Sequence, residues 1–214
     1  DRLTLEELRD RVDKRRLALL SAEGGGERVG RVRTMEIEPD VGGIIELLAT
    51  CAAGFVAAPL NPRLSAQSLQ EARASLTEAS VPKDATVILW TSGTSGRARG
   101  VALSWANLEA SARASESRLG LGLDDVWLAS LSPAHVGGLA LITRALLLGS
   151  RLIAAGRLDT AGTVDLLQQA EGPTHISLVP TQLHHLRDAW GSRPAPSRLR
   201  CVLVGGAHAP RGLV

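Results

Sequence analysis

The 214 residues carry 24 Lys and Arg against 22 Asp and Glu, a net charge of +2, with 44% hydrophobic and 21% charged residues, the profile of an ordinary globular chain. Only Lys14 and Lys83 are lysines; the arginines that make up the rest are spread along the chain and offset by acids, unlike the clustered footprint of a nucleic-acid surface. With four Trp, one Phe and no Tyr, the chain also lacks a stacking platform for bases, so no nucleic-acid partner is expected.

Thr4-Leu5-Glu6-Glu7 reads as a capping box opening a helix, with Leu5, Leu8, Val12 and Leu19 at helical spacing and Gly24, Gly25 and Gly26 as its stop. A strand near Val29 to Ile37 follows, then a helix from Val41 to Ala53 with Ile44, Leu47, Leu48 and Cys51 on one face. Phe55 to Leu60 reads as a buried strand ending at Pro59 and Pro62. A helix from Ser65 to Leu76 leads to Ala85 to Trp90, a nearly continuous apolar strand buried on both faces. After a Gly/Ser/Thr loop, a short strand at Gly100 to Leu103 precedes a helix starting behind Ser104. Further strands are predicted at Val126 to Leu131, Arg151 to Ala155, His175 to Val179 and Arg200 to Val204. Helices near Gly138 to Leu148, Thr163 to Ala170 and Thr181 to Trp190 separate them. Strands alternating with helices predict an α/β fold built on a mostly parallel sheet with flanking helices.

The longest apolar stretch, Val136 to Ala155, contains Arg144 and Arg151, so it reads as a buried element and not a membrane span. Cys51 and Cys201 are far apart and have no neighbour at metal-ligand spacing, so neither a disulfide framework nor a metal site is expected. No secretory signal is visible after Asp1, which reads as a fragment boundary, and a reducing cytoplasm is the expected location.

Thr91-Ser92-Gly93-Thr94-Ser95-Gly96-Arg97-Ala98-Arg99-Gly100-Val101 is the stretch richest in chemistry, with three glycines, four hydroxyls and two guanidiniums directly after a buried strand. Glycines let consecutive backbone N–H groups approach an anion, hydroxyls add donors, and arginines add charge-assisted bonds, a combination suited to a polyphosphate. Gly93 and Gly96 are too close for a Walker loop and no Lys follows; the G-x-G-x-x-G spacing also fails. On composition alone such a loop is a flexible turn, and only the residue order argues for more.

That order resembles the phosphate-binding signature of the adenylate-forming superfamily, which comprises acyl-CoA synthetases (AMP-dependent ligases), luciferases and peptide-synthetase adenylation domains. The signature reads roughly [ST]-[SG]-G-[ST]-[ST]-G-x-P-K-G-V. Ala98 stands where Pro is usual and Arg99 where Lys is usual. Gly54 to Leu64, Ser132 to Leu139 and Leu203 to Pro210 resemble, in the family's order, the segment ahead of the phosphate loop, the acyl-gate segment and the G-G-A-P turn. Thr174 to Leu183 is most similar to the 2-succinylbenzoate–CoA ligases of menaquinone synthesis.

The resemblance implies activation of a small-molecule carboxylic acid by MgATP to acyl-AMP and pyrophosphate, followed by thioester formation with coenzyme A. Thr91, Ser92, Gly93, Thr94, Ser95 and Gly96 would bind the β- and γ-phosphates, with Arg99 neutralising charge there. His135 would gate the acyl group, and Gly205, Gly206 and Ala207 would form a shelf for adenine. Gly137, Ser177, Thr181 and Gln182 would line the substrate pocket, with His184, His185 or Arg187 as weaker donors for a distal carboxylate. As bare residues, His135 reads as an ordinary loop histidine, Gly205-Gly206 as a tight turn and the polar run from Thr181 as an exposed helix face. By the resemblance, residues 1–214 are the N-terminal part of a large AMP-binding domain whose C-terminal lid is absent, inactive alone, with a homodimer as one expected way of covering apolar surface. The alternatives are another acyl-CoA synthetase, a carrier-loading adenylation domain, or a non-catalytic nucleotide- or acyl-binding remnant.

Overall fold

A computed structural model describes residues 3–23, 30–77, 80–91, 99–209 and 212. The chain divides into two units, Asp1–Leu108 with Pro133–Val136, and Glu109–Ser132 with Gly137–Val214.

In the first unit, α1 (Leu5–Glu23) opens on the predicted box: Glu7 N donates to Thr4 Oγ1 at 3.1 Å and Thr4 N donates to Glu7 Oε2 at 2.7 Å. Leu19 is buried, whereas Leu5 in the first turn is exposed. The glycines predicted to stop this helix lie outside the described residues. β1 (Val32–Glu36) leads to α2 (Val41–Ala52), whose N-cap Asp40 accepts from Gly43 N at 2.7 Å. β2 (Val56–Leu60), α3 (Ala66–Thr77), β3 (Ala85–Thr91) and β4 (Arg99–Ser104) complete the unit's sheet, in the order β1-β2-β3-β4. The first three strands are parallel and β4 runs antiparallel to β3. Every residue of β2 is buried, and Val56, Ala58 and Ile88 pack with Val32, Leu76 and Val81 on one face. Pro59 lies inside β2 instead of ending it. The registered ladder to β3 is confined to Ala57 opposite Val87, which leaves room for a residue without an N–H.

Helix α4 (Trp105–Leu119) starts behind Ser104, whose N and Oγ both donate to Asn107 Oδ1 at 3.0 Å. In the second unit β5 (Val126–Leu128), α5 (Val136–Leu148), β6 (Arg151–Ile153), α6 (Thr160–Gln168), β7 (His175–Leu178), α7 (Pro180–Trp190) and β8 (Cys201–Val204) alternate. Their sheet is parallel throughout, in the order β6-β5-β7-β8. Strand alternation sends Trp127 to the face where it packs with Leu141 of α5, and Leu128 to the face packed with Val164 and Leu167 of α6 and Leu186 of α7. β5 is shorter than predicted because Ser130 N turns back onto Leu128 O at 2.9 Å. The expected mostly parallel α/β architecture is present, with the strands divided between two sheets. No helix among the described residues is long and apolar enough to cross a membrane.

Candidate active site

In the first unit, Thr91 and Arg99 are direct partners across the antiparallel β3–β4 ladder, and Thr91 Oγ1 donates to Arg99 O at 3.3 Å. Both are exposed. They hold the two ends of the glycine-rich loop, whose Ser92, Gly93, Thr94, Ser95 and Gly96 lie outside the described residues. The turn after β2 explains its asparagine: Asn61 Oδ1 accepts from Arg63 N at 3.0 Å and Asn61 O from Leu64 N at 3.1 Å. His135 belongs to this unit and is exposed.

In the second unit the strand order places a topological switch point between β5 and β7. From β5 the chain crosses through α5 to β6 on one side; from β7 it crosses through α7 to β8 on the other. In open parallel sheets the crevice at the carboxyl ends of such strands is where ligands bind. Ser130 lies just past β5, and its hydroxyl donates to Ser177 O in β7. Gln182 in α7 accepts from Val179 N through Oε1 at 3.0 Å and points Nε2 at Ser130 O at 3.5 Å. Ser177 is buried and Thr181 exposed.

The same edge carries Gly205, Gly206 and Ala207, exposed beyond β8, with Gly205 N bonded to Leu178 O at 3.1 Å. Gly206 has φ +82°, whereas a Cβ on Gly205 would meet nothing within 4 Å. The predicted pocket residues Ser177, Thr181 and Gln182 and the predicted shelf thus share one end of one sheet. Near the start of α5, Gly138 lets the helix lie on the Leu131–Ser132 backbone, since a Cβ there would stand 2.1 Å from Ser132 O.

Sequence reasoning missed a polar cluster at the opposite, amino end of this sheet. Asp125, 1% exposed, accepts from Gly122 N at 2.8 Å and from the Arg200 guanidinium. Its Oδ1 is 3.8 Å from His175 Nδ1, which is 2.7 Å from Thr174 Oγ1. His175 stacks on Trp127 with ring centroids 4.7 Å apart, and Arg144 of α5 lies over that indole. Burial pushes the His175 imidazole and the Arg144 guanidinium below their ordinary values. The sequence signal for this cluster is the arginine inside the apolar run of α5, Arg144.

Cys51 and Cys201 are free; burial pushes the Cys51 thiol up to about 11, so it is inert at neutral pH. Among the described residues no group of three His, Cys, Asp or Glu is placed to hold a metal ion.

Residues 67–214 match the model of the family described as AMP-binding enzyme. The chain belongs to the AMP-binding enzyme family. This AMP-binding chain is 40% identical over 141 residues to the 2-succinylbenzoate–CoA ligase of Bacillus cereus (strain ATCC 10987 / NRS 248), a stretch covering 66% of the chain and 29% of that ligase. Its fold matches the O-succinylbenzoate coenzyme A synthetase of Bacillus subtilis in complex with AMP, with a TM-score of 0.82 at 22% identity, covering 99% of this chain and 63% of that one. It also matches the wild-type E. coli enzyme with a bound phenylether-linked analogue of OSB-AMS, with a TM-score of 0.80 at 26% identity, covering 100% of this chain and 51% of that one. The AMP-binding chain therefore spans about half the length of the E. coli protein.

Proposed function

We propose that this chain is the N-terminal part of the large domain of an AMP-forming acid–CoA ligase that activates 2-succinylbenzoate with ATP and passes the acyl group to coenzyme A, in the cytoplasm. The observation that carries this reading is the 40% identity to the Bacillus cereus ligase over 141 residues. The printed ligands of the two solved relatives, AMP and an OSB-AMS analogue, agree with it.

In this reading the polyphosphate of ATP lies at the loop whose ends are Thr91 and Arg99. Ser92, Gly93, Thr94, Ser95 and Gly96 supply backbone and hydroxyl donors, and Arg99 neutralises the departing pyrophosphate. Arginine in the usual lysine position keeps the charge but presents a planar fork instead of a point charge. Gly205, Gly206 and Ala207 form the adenine shelf; the open space above Gly205 admits a flat base. Ser177, Thr181, Gln182 and Gly137 line the acid's pocket. Mg2+ would travel with the phosphates of ATP. Among the described residues no group of three His, Cys, Asp or Glu is placed to hold it.

The test is carboxylate-dependent ATP–pyrophosphate exchange by the full-length gene product. Exchange stimulated by 2-succinylbenzoate above fatty and simple aryl acids is the expected result. Exchange driven better by another acid transfers the reading to another acyl-CoA synthetase or a carrier-loading domain. No exchange with any acid, with nucleotide binding retained, makes the protein a nucleotide-binding remnant.

A further inference from the structure

We propose that Ser130 and Gln182 form a clasp that fixes the gap between the carboxyl ends of β5 and β7, and so tunes the fit of the carboxylic acid; this rests on the acid-activating reading above. The β5–β7 ladder is short, with the registered pairs Trp127 opposite His175 and Leu128 opposite Ile176. Ala129 still bonds to the other neighbour, its N donating to Ile153 O at 2.9 Å. Ser130 then folds back and changes sides. Its hydroxyl reaches Ser177 O in β7, and its own carbonyl faces Gln182 Nε2 at 3.5 Å. Past the ladder, the first contact joins the strand ends at the switch point and the second ties the end of β5 to α7.

Gln182 suits this task because it offers an acceptor and a donor at opposite corners of one amide. Oε1 takes the Val179 N–H at the head of α7, which would otherwise lack an intrahelical partner, and Nε2 faces the Ser130 carbonyl. With Oε1 on Val179 and Nε2 facing Ser130, Gln182 acts as a positioning residue at the edge of the proposed pocket. Glu at this place would keep the Val179 bond and set a carboxylate against the Ser130 carbonyl; Met would lose both bonds.

The clasp is tested in the full-length gene product with Gln182→Met, Gln182→Glu, Ser130→Ala and Ser130→Thr. In ATP–pyrophosphate exchange, Ser130→Ala should raise KM for the acid about fivefold, the weight of one hydrogen bond, and Gln182→Met, which loses two contacts, at least as much, with KM for ATP changed less than about twofold in either. Ser130→Thr, which keeps the hydroxyl, should restore the acid KM. The double variant should fall short of the product of the two single effects, as expected of coupled neighbours. Equal shifts in both KM values, or strict multiplicativity, would overturn the proposal. If the parent protein exchanges with no acid, the acid-activating reading fails separately. The clasp is then read by amide hydrogen exchange at Val179, which should speed about fivefold in Gln182→Met and stay near the parent rate in Gln182→Glu; equal rates in all three would dismiss it.

Discussion

Arg144 holds its guanidinium 5.2 Å from the centre of the indole ring of Trp127, while its Nε and Nη1 are buried without a hydrogen-bond partner among the described residues. A desolvated cation–π contact contributes about 2 kcal/mol, against several kcal/mol for taking an unpaired charge out of water. Desolvation therefore outweighs the ring contact. Arg144→Met, which keeps the stem's volume, should unfold in urea at the parent midpoint or above it, whereas Arg144→Ala should lose about 1–3 kcal/mol through the cavity it leaves. A Met variant clearly less stable than the parent would mean that the guanidinium has a stabilising partner.

His175 makes the chain's stability depend on pH. Burial holds its imidazole below the ordinary 6.5, although the Asp125 carboxylate, which Arg200 engages at the same oxygen, lies 3.8 Å away. The unfolded chain takes up the proton at a higher pH than the folded one. The His175 contribution is thus complete above about pH 6.5 and is lost as pH falls through the lower folded value. Urea unfolding between about pH 7 and pH 5 should show a shallower slope for His175→Gln than for the parent. Identical slopes would show that the ring titrates normally.

Adjacent glycines in α5 should respond differently to alanine. On Gly138 the new Cβ would collide with the Ser132 carbonyl at 2.1 Å, a backbone atom that cannot yield without moving the helix. On Gly137 it meets Leu131 Cδ1 at 2.9 Å, the far end of a flexible side chain. Gly138→Ala should cost about 2–3 kcal/mol, and Gly137→Ala less than about 1 kcal/mol, since alanine's helix propensity offsets the crowding. Thermal melts of the two variants decide it, and equal losses would place the start of α5 elsewhere.

A similar contrast separates stability from binding at Gly205 and Gly206. The φ of +82° at Gly206 costs an alanine about 1–2 kcal/mol, whereas Gly205 faces open space. Gly206→Ala should lower the melting temperature. Gly205→Ala should melt like the parent yet raise KM for ATP in the full-length protein, because its methyl would occupy the proposed adenine shelf. An unchanged KM for ATP would remove Gly205 from that shelf.

Local signals in the sequence carried most of the fold. The Thr4–Glu7 box, the apolar β3 run and the Ser104 start of α4 each depend on residues a few positions apart, and each is found where expected. Strand ends are less legible: Pro59 reads as a terminator although the ladder around it tolerates a missing N–H, and β5 stops at Leu128 because of a backbone turn that no side chain announces. The candidate site divides in the same way. By their order Thr91 and Arg99 fall inside the loop, and the structure places them at its two ends, in β3 and β4. The Ser130–Ser177–Gln182 contacts and the Asp125–His175–Arg200 cluster join residues about 50 to 75 positions apart, and periodicity holds no record of such distances.

The order β6-β5-β7-β8 also constrains how the second unit assembles. Its central strand is only three residues long and precedes both of its neighbours in the chain, one reached through α5 and the other after α6. Nothing local holds β5 in place during folding, since both ladders close over long stretches of chain and the loop entropy falls due before either stabilises it. The strand whose end carries Ser130 therefore orders late, together with β7, and a weakened β5–β7 pairing should speed unfolding more than it slows folding.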